Sequence, residues 1–203
     1  MVLSESRANV AERREHLLKV ARDIFAERGY QATTMDDLAT AAGFTKPILY
    51  QHFASKESLY NEIIETTSKH LLDALRSSTE SVDTAREKVE AAFRAFFEIV
   101  VNETSAFRLL FLQPRVVDHR SELRRVETRM TSFIEEQLPV LSNVPYRRQV
   151  AASIVGMAEG AATAWLVQQE ALGWPDVDQD EIDELARRTA TLAWGGLRSV
   201  QTD

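Results

Sequence analysis

Cysteine is absent from this 203-residue sequence, and glycine is scarce, with seven residues. Without cysteine the chain forms no disulfide and offers no thiolate to a metal ion. The few glycines form no glycine-rich loop of the kind that cradles nucleotide phosphates. The N-terminus has no apolar signal segment, and the longest apolar runs are broken well short of the roughly 20 residues that a membrane span needs. These absences predict a cytoplasmic protein that does not enter a membrane.

A catalytic centre is not indicated either. The four histidines, His16, His52, His70 and His119, lie far apart in the sequence and show no HExxH spacing. Aspartate and glutamate are plentiful, but they are scattered at the spacing of solvated helix surfaces, so no carboxylate pair stands out. We therefore expect no enzyme activity, no metal site and no cofactor.

The charge is unevenly distributed along the chain. The formal net charge is −7, but residues 1–56 carry eight cations against seven acids, a net +1, whereas the remaining residues carry 16 cations against 24 acids, a net −8. A nearly neutral head on an acidic body predicts a few localised phosphate contacts and a modest salt dependence if the head binds DNA. It argues against a protein that coats DNA indiscriminately.

The stretch from Thr33 to Lys56 has the pattern of a helix-turn-helix. Thr34 is a predicted N-cap, with Asp37 in the capping-box position, and an apolar stripe follows at helical spacing. Gly43 supplies a left-handed residue that ends this first helix, and Phe44 is predicted to pack between the two helices. Such a unit docks its second helix on DNA.

The second helix of this unit, Lys46 to about Phe53, has two different faces. Leu49 is predicted to hold the helix against its partner, whereas Lys46, Tyr50 and Gln51 lie on the other side, where no acidic residue accompanies them. A cation, a phenol and an amide donate to phosphate oxygens and reach base edges in a major groove. The outward face therefore predicts DNA binding.

From Arg22 to Tyr60 the sequence reads RDIFAERGYQATTMDDLATAAGFTKPILYQHFASKESLY, and this run resembles the TetR family of bacterial transcriptional regulators. Its landmarks are FAERGY, the paired threonines, the LYxHF core and the SKExL helix start. The resemblance implies an all-α protein of about nine helices. A three-helix DNA-binding domain would span residues 1–56, and a helical effector-binding and dimerisation domain would span residues 57–203.

The resemblance also implies roles for nine side chains on duplex DNA. The positions that match phosphate contacts are Thr33, Thr34, Tyr50, His52 and Lys56. The positions that match contacts at or near base edges are Thr45, Lys46, Pro47 and Gln51. Lys46 is suited to guanine and Gln51 to adenine. Ile48 departs from the family's usual small or hydroxylated residue, so the phosphate contact expected there is in question.

The rest of the chain shows helical patterns and no strand pattern. A long helix from Lys56 to about Leu75 is, by the resemblance, the lever between the two domains. Aromatic stripes at helical spacing follow over residues 82–101, 105–112 and 119–138. Taken alone, such stripes favour a filled core. The resemblance instead implies a cavity for a small apolar or amphiphilic effector, and the candidates to line it are Phe93, Phe97, Phe107, Phe111, Met130, Phe133 and Trp165.

A run of basic residues in this region permits two interpretations. Its members are Arg108, Arg115, His119, Arg120, Arg124, Arg125 and Arg129. They form either a solvated, self-paired helix face or the mouth of a pocket for an anionic amphiphile such as an acyl-CoA or a fatty acid. The stretches KPILYQHF and LAWGGL are similar to those of acyl-CoA-sensing lipid regulators within the family. The alternative is a DNA-binding regulator with a filled core, controlled by a protein partner or by its own abundance.

The last two helical patterns indicate an interface between two copies of the chain. Small residues in the first pattern permit close helix approach, and the predicted contact residues are Gly156, Gly160, Ala164, Ile182, Leu185 and Leu192. A four-helix bundle with a two-fold axis would result, although packing within one monomer is the alternative. By resemblance the dimer binds a palindromic operator, with recognition helices about 34–36 Å apart. It would act as a repressor that the effector releases.

Overall fold

The computed structural model describes residues 2–111, 120–138 and 144–200, and every regular element within them is an α-helix. The helices are α1 (Val2–Arg28), α2 (Met35–Ala41), α3 (Lys46–His52), α4 (Lys56–Glu80), α5 (Ala85–Asn102), α6 (Thr104–Phe111), α7 (Arg120–Glu136), α8 (Val144–Leu172) and α9 (Gln179–Val200). The predicted all-α fold, with an N-terminal helix-turn-helix and a helical C-terminal part, is confirmed.

The local sequence accounts for two helix starts. α1 begins at Val2, and no glycine or proline interrupts the chain from there to Arg28. α5 begins at Ala85 rather than near Val82, because Thr84 forms a capping box with Glu87. The Glu87 N–H donates to Thr84 Oγ1 over 3.2 Å, and the Thr84 N–H donates to Glu87 Oε2 over 3.0 Å.

The chain divides into two compact units. Among the described residues, 2–67 and 105–111 form the first, and 68–104, 120–138 and 144–200 form the second. α4 runs without a break from one unit into the other. The division by compactness therefore falls inside α4, and the functional boundary after residue 56 remains a proposal.

Each unit has a core of fully buried apolar side chains. In the first unit Leu17, Phe25 and Leu59 are at most 1% exposed, and in the second Phe97 and Leu166 are 0% exposed. In the second unit α5 packs on α9, and α7 packs on α8. Phe97, one of the aromatic side chains of α5, thus lies in the core of the second unit.

α8 is more apolar than the sequence analysis suggested. Within the described residues, Pro145–Leu172 is the one stretch long and apolar enough to cross a bilayer by length and composition, so the expectation of no such stretch was wrong. Alanine and glycine join the short apolar runs, so the mean hydropathy stays high along this stretch. The core helix of a soluble protein passes the same test. Ala151, Ile154, Ala158, Ala162 and Leu166 are indeed buried within the second unit.

Candidate DNA-binding surface and body cavity

α2 begins with the capping box that the sequence predicted. The Asp37 N–H donates to Thr34 Oγ1 over 3.2 Å, and the Thr34 N–H donates to Asp37 Oδ2 over 2.8 Å. The hydrogen bonds from Thr34 lower the pKa of the Asp37 carboxyl. Because the Thr34 hydroxyl also donates to Asp37 over 2.6 Å, this side chain is committed to the cap. Its predicted phosphate contact is untested.

The turn between α2 and α3 also forms as predicted. Gly43 has a φ of +73°, a left-handed conformation that a glycine adopts without strain. The Phe44 N–H donates to the Ala39 carbonyl over 2.9 Å, and the Gly43 N–H donates to the Thr40 carbonyl over 3.1 Å, which together close α2 in a Schellman motif. The Phe44 ring then meets the His16 ring of α1 edge-on, at a centroid distance of 6.0 Å. Phe44, which was predicted to pack between the two helices of the unit, thus contacts α1.

α3 is held to the first unit by one side chain of its own. Leu49 is 0% exposed and is the helix's only buried residue. Phe53, which ends the helix, is also buried, and the Arg14 guanidinium of α1 lies 4.5 Å from the centroid of its ring. Arg14 in turn forms a bidentate ion pair with Glu62 of α4. Arg14 of α1 and Glu62 of α4 therefore hold the C-terminal end of α3.

The outward surface of α3 carries the side chains predicted to reach bases. Lys46, Pro47, Tyr50 and Gln51 are exposed, and His52 is half-buried. Thr45 is exposed and occupies the N-cap position, but its side chain makes no capping hydrogen bond. The structure thus brings most of the predicted base-edge and phosphate positions together on one solvent-facing helix. Their contacts with DNA remain a proposal.

Lys46 is the one cation in α3, and it has a carboxylate partner on α2. Its Nζ donates to Asp36 Oδ2 over 2.8 Å, and both side chains are at least half exposed to solvent. The hydrogen bond to Asp36 raises the pKa of Lys46. This ion pair was not predicted from the sequence. Asp36 and Lys46 are ten residues apart, and the turn between α2 and α3 brings them together.

Two other predicted phosphate ligands point inward. The Thr33 side chain is 1% exposed, and its hydroxyl donates to the Gly29 carbonyl over 2.8 Å. Lys56 Nζ donates to the carbonyls of Tyr30 and Thr33, each over 2.8 Å, and lies 4.3 Å from the centroid of the Tyr30 ring. At most one N–H of Lys56 is left for a phosphate. In this structure Lys56 ties the loop before α2 to the start of α4.

Lys56→Met is therefore expected to lower the free energy of unfolding by about 1.5–3 kcal/mol, because two carbonyls lose hydrogen bonds from a charged donor. Urea denaturation followed by circular dichroism measures this change. Lys46→Met is the matched control, since its exposed ion pair contributes little to stability. Equal unfolding curves for the two variants would contradict the structural role of Lys56.

The second unit contains a cavity of about 260 Å³. Its walls come from the end of α4 and from α5, α7, α8 and α9, and they are mostly apolar; the lining residues are Thr79, Asp83, Ala85, Lys88, Val89, Ala92, Phe93, Phe133, Ile134, Gln137, Leu138, Ile154, Trp194 and Leu197. A small apolar extension of about 30 Å³ shares Ala92, Phe93, Ile134 and Ile154 with it and reaches Met130 and Phe96. The open space is therefore lined by both small and aromatic side chains.

The predicted effector-lining residues divide into two groups. Phe93 and Phe133 line the main cavity, and Met130 lines its extension. Phe97 and Phe107 are 0% exposed and line neither space, and Phe107 belongs to the first compact unit. The side chain of Phe111 lies outside the described residues. None of these ligand contacts is tested by the structure.

Trp165, the last predicted lining residue, has a different partner. Its indole Nε1 donates to Glu181 Oε1 over 3.2 Å, and Gln169 donates to the same oxygen over 3.1 Å. Glu181 lies in the first turn of α9, where its N–H donates to the Asp178 cap over 2.9 Å. Trp165 therefore joins α8 to the start of α9. The sequence analysis missed Trp194 and Leu197, which line the cavity from α9.

The basic run does not contribute to this cavity in the described part of the chain. Arg124, Arg125 and Arg129 are exposed on α7, and none of them lines the space. Arg115 and His119 lie outside the described residues. The cation that lines the cavity is Lys88, on the first turn of α5. The pocket-mouth interpretation of the arginine run therefore has no support among the described residues.

The predicted contact residues of α8 are open to solvent. Gly156, Gly160 and Ala164 are exposed and recur every four residues along one face. A Cβ added at Gly156 or Gly160 would meet no atom within 4 Å. On α9, Leu192 is 66% exposed, Leu185 is half-buried and Ile182 is buried within the monomer at 6%. An apolar face of small residues is therefore uncovered in the single chain.

Comparison with known proteins agrees with the sequence resemblance. Residues 17–63 match the family model described as bacterial regulatory proteins, tetR family. The transcriptional activator FasR of Mycolicibacterium smegmatis is 30% identical over 193 residues, which cover 93% of this chain and 84% of that protein. The transcriptional repressor KstR2 of Mycobacterium tuberculosis is 33% identical over 129 residues, which cover 63% of this chain and 60% of that protein.

A solved structure shows the same fold at lower identity. FadR from Bacillus subtilis, determined in complex with stearoyl-CoA, has a TM-score of 0.73 and 14% identity, and the alignment covers 88% of this chain and 96% of that one. The helix-turn-helix geometry, the matched family model and the near full-length relative all lead to one assignment. The chain belongs to the TetR family, whose members are DNA-binding transcriptional regulators rather than enzymes.

Proposed function

We propose that two copies of this chain bind a palindromic operator and repress transcription until a small apolar or amphiphilic effector releases them. The observation that carries the proposal is the pairing, in one chain, of an exposed α3 surface with a lined cavity in the second unit. The protein works in the cytoplasm, where the chromosome is. Neither DNA binding by α3 nor effector binding in the cavity requires a catalysed reaction.

The homodimer is supported by the uncovered face of α8 and α9. Gly156, Gly160, Ala164 and Leu192 would meet their copies across a two-fold axis, with Leu185 beside them and Ile182 buried behind the face. Close approach of two helices needs small residues at the contact. Two identical heads on a two-fold axis read an inverted repeat, with half-sites one or more duplex turns apart.

The contacts with each half-site follow from the exposed residues of α3. Lys46 would donate to guanine O6 or N7, Gln51 would pair with adenine, and Thr45 and Pro47 would lie at base edges near the helix start. Tyr50 and His52 would donate to phosphate oxygens, with the N-terminus of α2 at Thr34 beside them. Thr33 and Lys56 would support this surface from behind.

Tyr50→Phe is expected to weaken binding to every duplex by a similar amount, about 0.5–1.5 kcal/mol, because a phosphate contact carries no sequence information. Lys46→Ala should instead change the rank order of duplexes, since a lost base contact removes about 1–3 kcal/mol of discrimination. Selection from a randomised duplex library, followed by affinity measurements on the enriched and depleted sequences, distinguishes the two. If Lys46→Ala lowers the affinity for all duplexes by the same factor, the proposed contact of Lys46 with a base is contradicted.

An effector in the cavity is supported by the shape and the lining of the space. Its 260 Å³ is just below the range of about 300–1,000 Å³ that is typical of ligand pockets. The apolar walls suit a hydrocarbon chain. Lys88 offers a cation to a fatty-acid carboxylate or a CoA phosphate, and Asp83 lines the same space. FadR of Bacillus subtilis holds stearoyl-CoA in a protein of the same fold. An acyl-CoA or a fatty acid is therefore the proposed effector class.

A panel of fatty acids and acyl-CoAs of increasing chain length tests the effector. The expected result is a rise in melting temperature that depends on chain length, together with release of the selected duplex. A flat response across the panel would favour the alternative, a regulator controlled by a protein partner or by its abundance.

The relatives include an activator and a repressor. A promoter fusion carrying the selected sequence decides the sign of regulation: we expect higher expression without the protein.

A further inference from the structure

Asp36, which lies beside the exposed surface of α3, takes part neither in the capping box of α2 nor in the core of the first unit. Asp37 is bonded within the capping box, whereas its neighbour Asp36 extends from the first turn of α2 to the Lys46 ammonium on α3. The side chain of Asp36 is 63% exposed and that of Lys46 is 50% exposed. A pair so exposed contributes little to folding. The pair includes Lys46, whose proposed role is to contact a base, and this gives Asp36 another use.

The ion pair fixes where the Lys46 ammonium can go. A free lysine is a flexible, strongly hydrated point charge, and near a duplex it is drawn to the nearest phosphate oxygen. The bond to Asp36 uses one of the three N–H groups and leaves two for other acceptors. A lysine at the start of a recognition helix also faces the positive end of the helix dipole, which the carboxylate offsets. The tethered ammonium can thus meet a base edge without leaving its partner.

We propose that Asp36 is a specificity-determining residue that positions Lys46 for a guanine edge and keeps it from binding phosphates on any sequence. This inference rests on the proposed base-reading role of Lys46. The carboxylate itself does not bind the duplex; it weakens sequence-independent binding and preserves the difference between correct and incorrect sites. Negative charge near a polyanion thereby improves discrimination rather than total affinity.

The test is Asp36→Asn, measured on a duplex enriched by the parent protein from a randomised library and on a random-sequence duplex of equal length. On the random duplex the variant should bind several-fold more tightly than the parent, with a log-log salt slope steeper by about 0.9 per head, because each Lys46 gains a phosphate. The ratio of enriched to random affinity should fall about tenfold. Thermal unfolding should be unchanged.

Asp23→Asn is the matched control, because it removes the same charge from an exposed residue of the same unit. If Asp36→Asn changes both affinities by the factors found for Asp23→Asn, the inference is overturned. A second check repeats Asp36→Asn in a Lys46→Ala background, where its effect should shrink to that of the control. An undiminished effect there would mean that Asp36 acts without Lys46. If the parent prefers no sequence at all, the proposed DNA-reading function fails, a result distinct from either of these.

Discussion

A Gly160→Trp variant is expected to purify as a folded monomer and to bind the selected inverted repeat about a hundredfold or more weakly than the parent. In the single chain Gly160 is exposed, and a Cβ added there would lie in open space, so we expect the indole to extend into solvent and the monomer to stay folded. Across a two-fold axis the same indole would separate the paired α8 helices. Two heads held together exceed the affinity of one head by roughly 10²–10⁴. Separating them should lose that gain.

Gly160→Ala controls for the removal of a helical glycine. Alanine favours the helix by up to about 1 kcal/mol, and its methyl group is small enough to leave close helix packing largely in place. We therefore expect Gly160→Ala to remain dimeric and at least as stable as the parent. Light scattering at micromolar concentration gives the mass, and circular dichroism gives the fold. A Gly160→Trp protein that stays dimeric and keeps full operator affinity would place the subunit contact elsewhere.

Filling the cavity should abolish the response to effector while leaving DNA binding intact. Ala92 lines both the main space and its extension, so Ala92→Trp places an indole where the effector chain would lie. The indole enters open volume, and any overpacking should cost no more than about 1–3 kcal/mol. We expect the variant to hold the selected duplex at effector concentrations that release the parent, with affinity for the effector at least tenfold weaker.

Ala91→Trp is the matched control for this experiment. Ala91 is on the same helix, is half-buried like Ala92, and lines neither space. Isothermal titration with the most active member of the panel compares the three proteins, and competition for the labelled duplex reports release. An Ala92→Trp protein that still binds the effector as the parent does would show that the effector occupies another part of the molecule.

The helix-turn-helix could be predicted almost completely from the sequence, because its determinants are local. Thr34, Asp37 and Gly43 act within a few residues of their own positions. Their spacing therefore predicts the capping box of α2 and the left-handed residue that ends it. The inward turn of Lys56 could not be predicted in the same way. Its partners are the carbonyls of Tyr30 and Thr33, and that contact exists only once α4 has packed against the earlier loop.

The cavity was harder to predict than the helices that enclose it. The aromatic stripe of α5 suggested Phe93 and Phe97 as lining residues, yet Phe93 lines the cavity whereas Phe97 is 0% exposed and lines neither space. Large side chains occupy space, so a void forms where alanines such as Ala85 and Ala92 leave room beside them. Periodicity identifies a buried face, but it does not show where opposing helices fail to meet. The α9 residues of the wall follow from the packing of α9 on α5.

The burial pattern of α3 separates what this helix recognises from what keeps it folded. Since Leu49 is its only buried residue, the exposed positions Lys46, Pro47, Tyr50 and Gln51 make little contact with the interior. If these four residues read DNA as proposed, substitutions among them should change the preferred operator while the thermal stability stays nearly constant. The operator preference of this protein would then be open to change one side chain at a time.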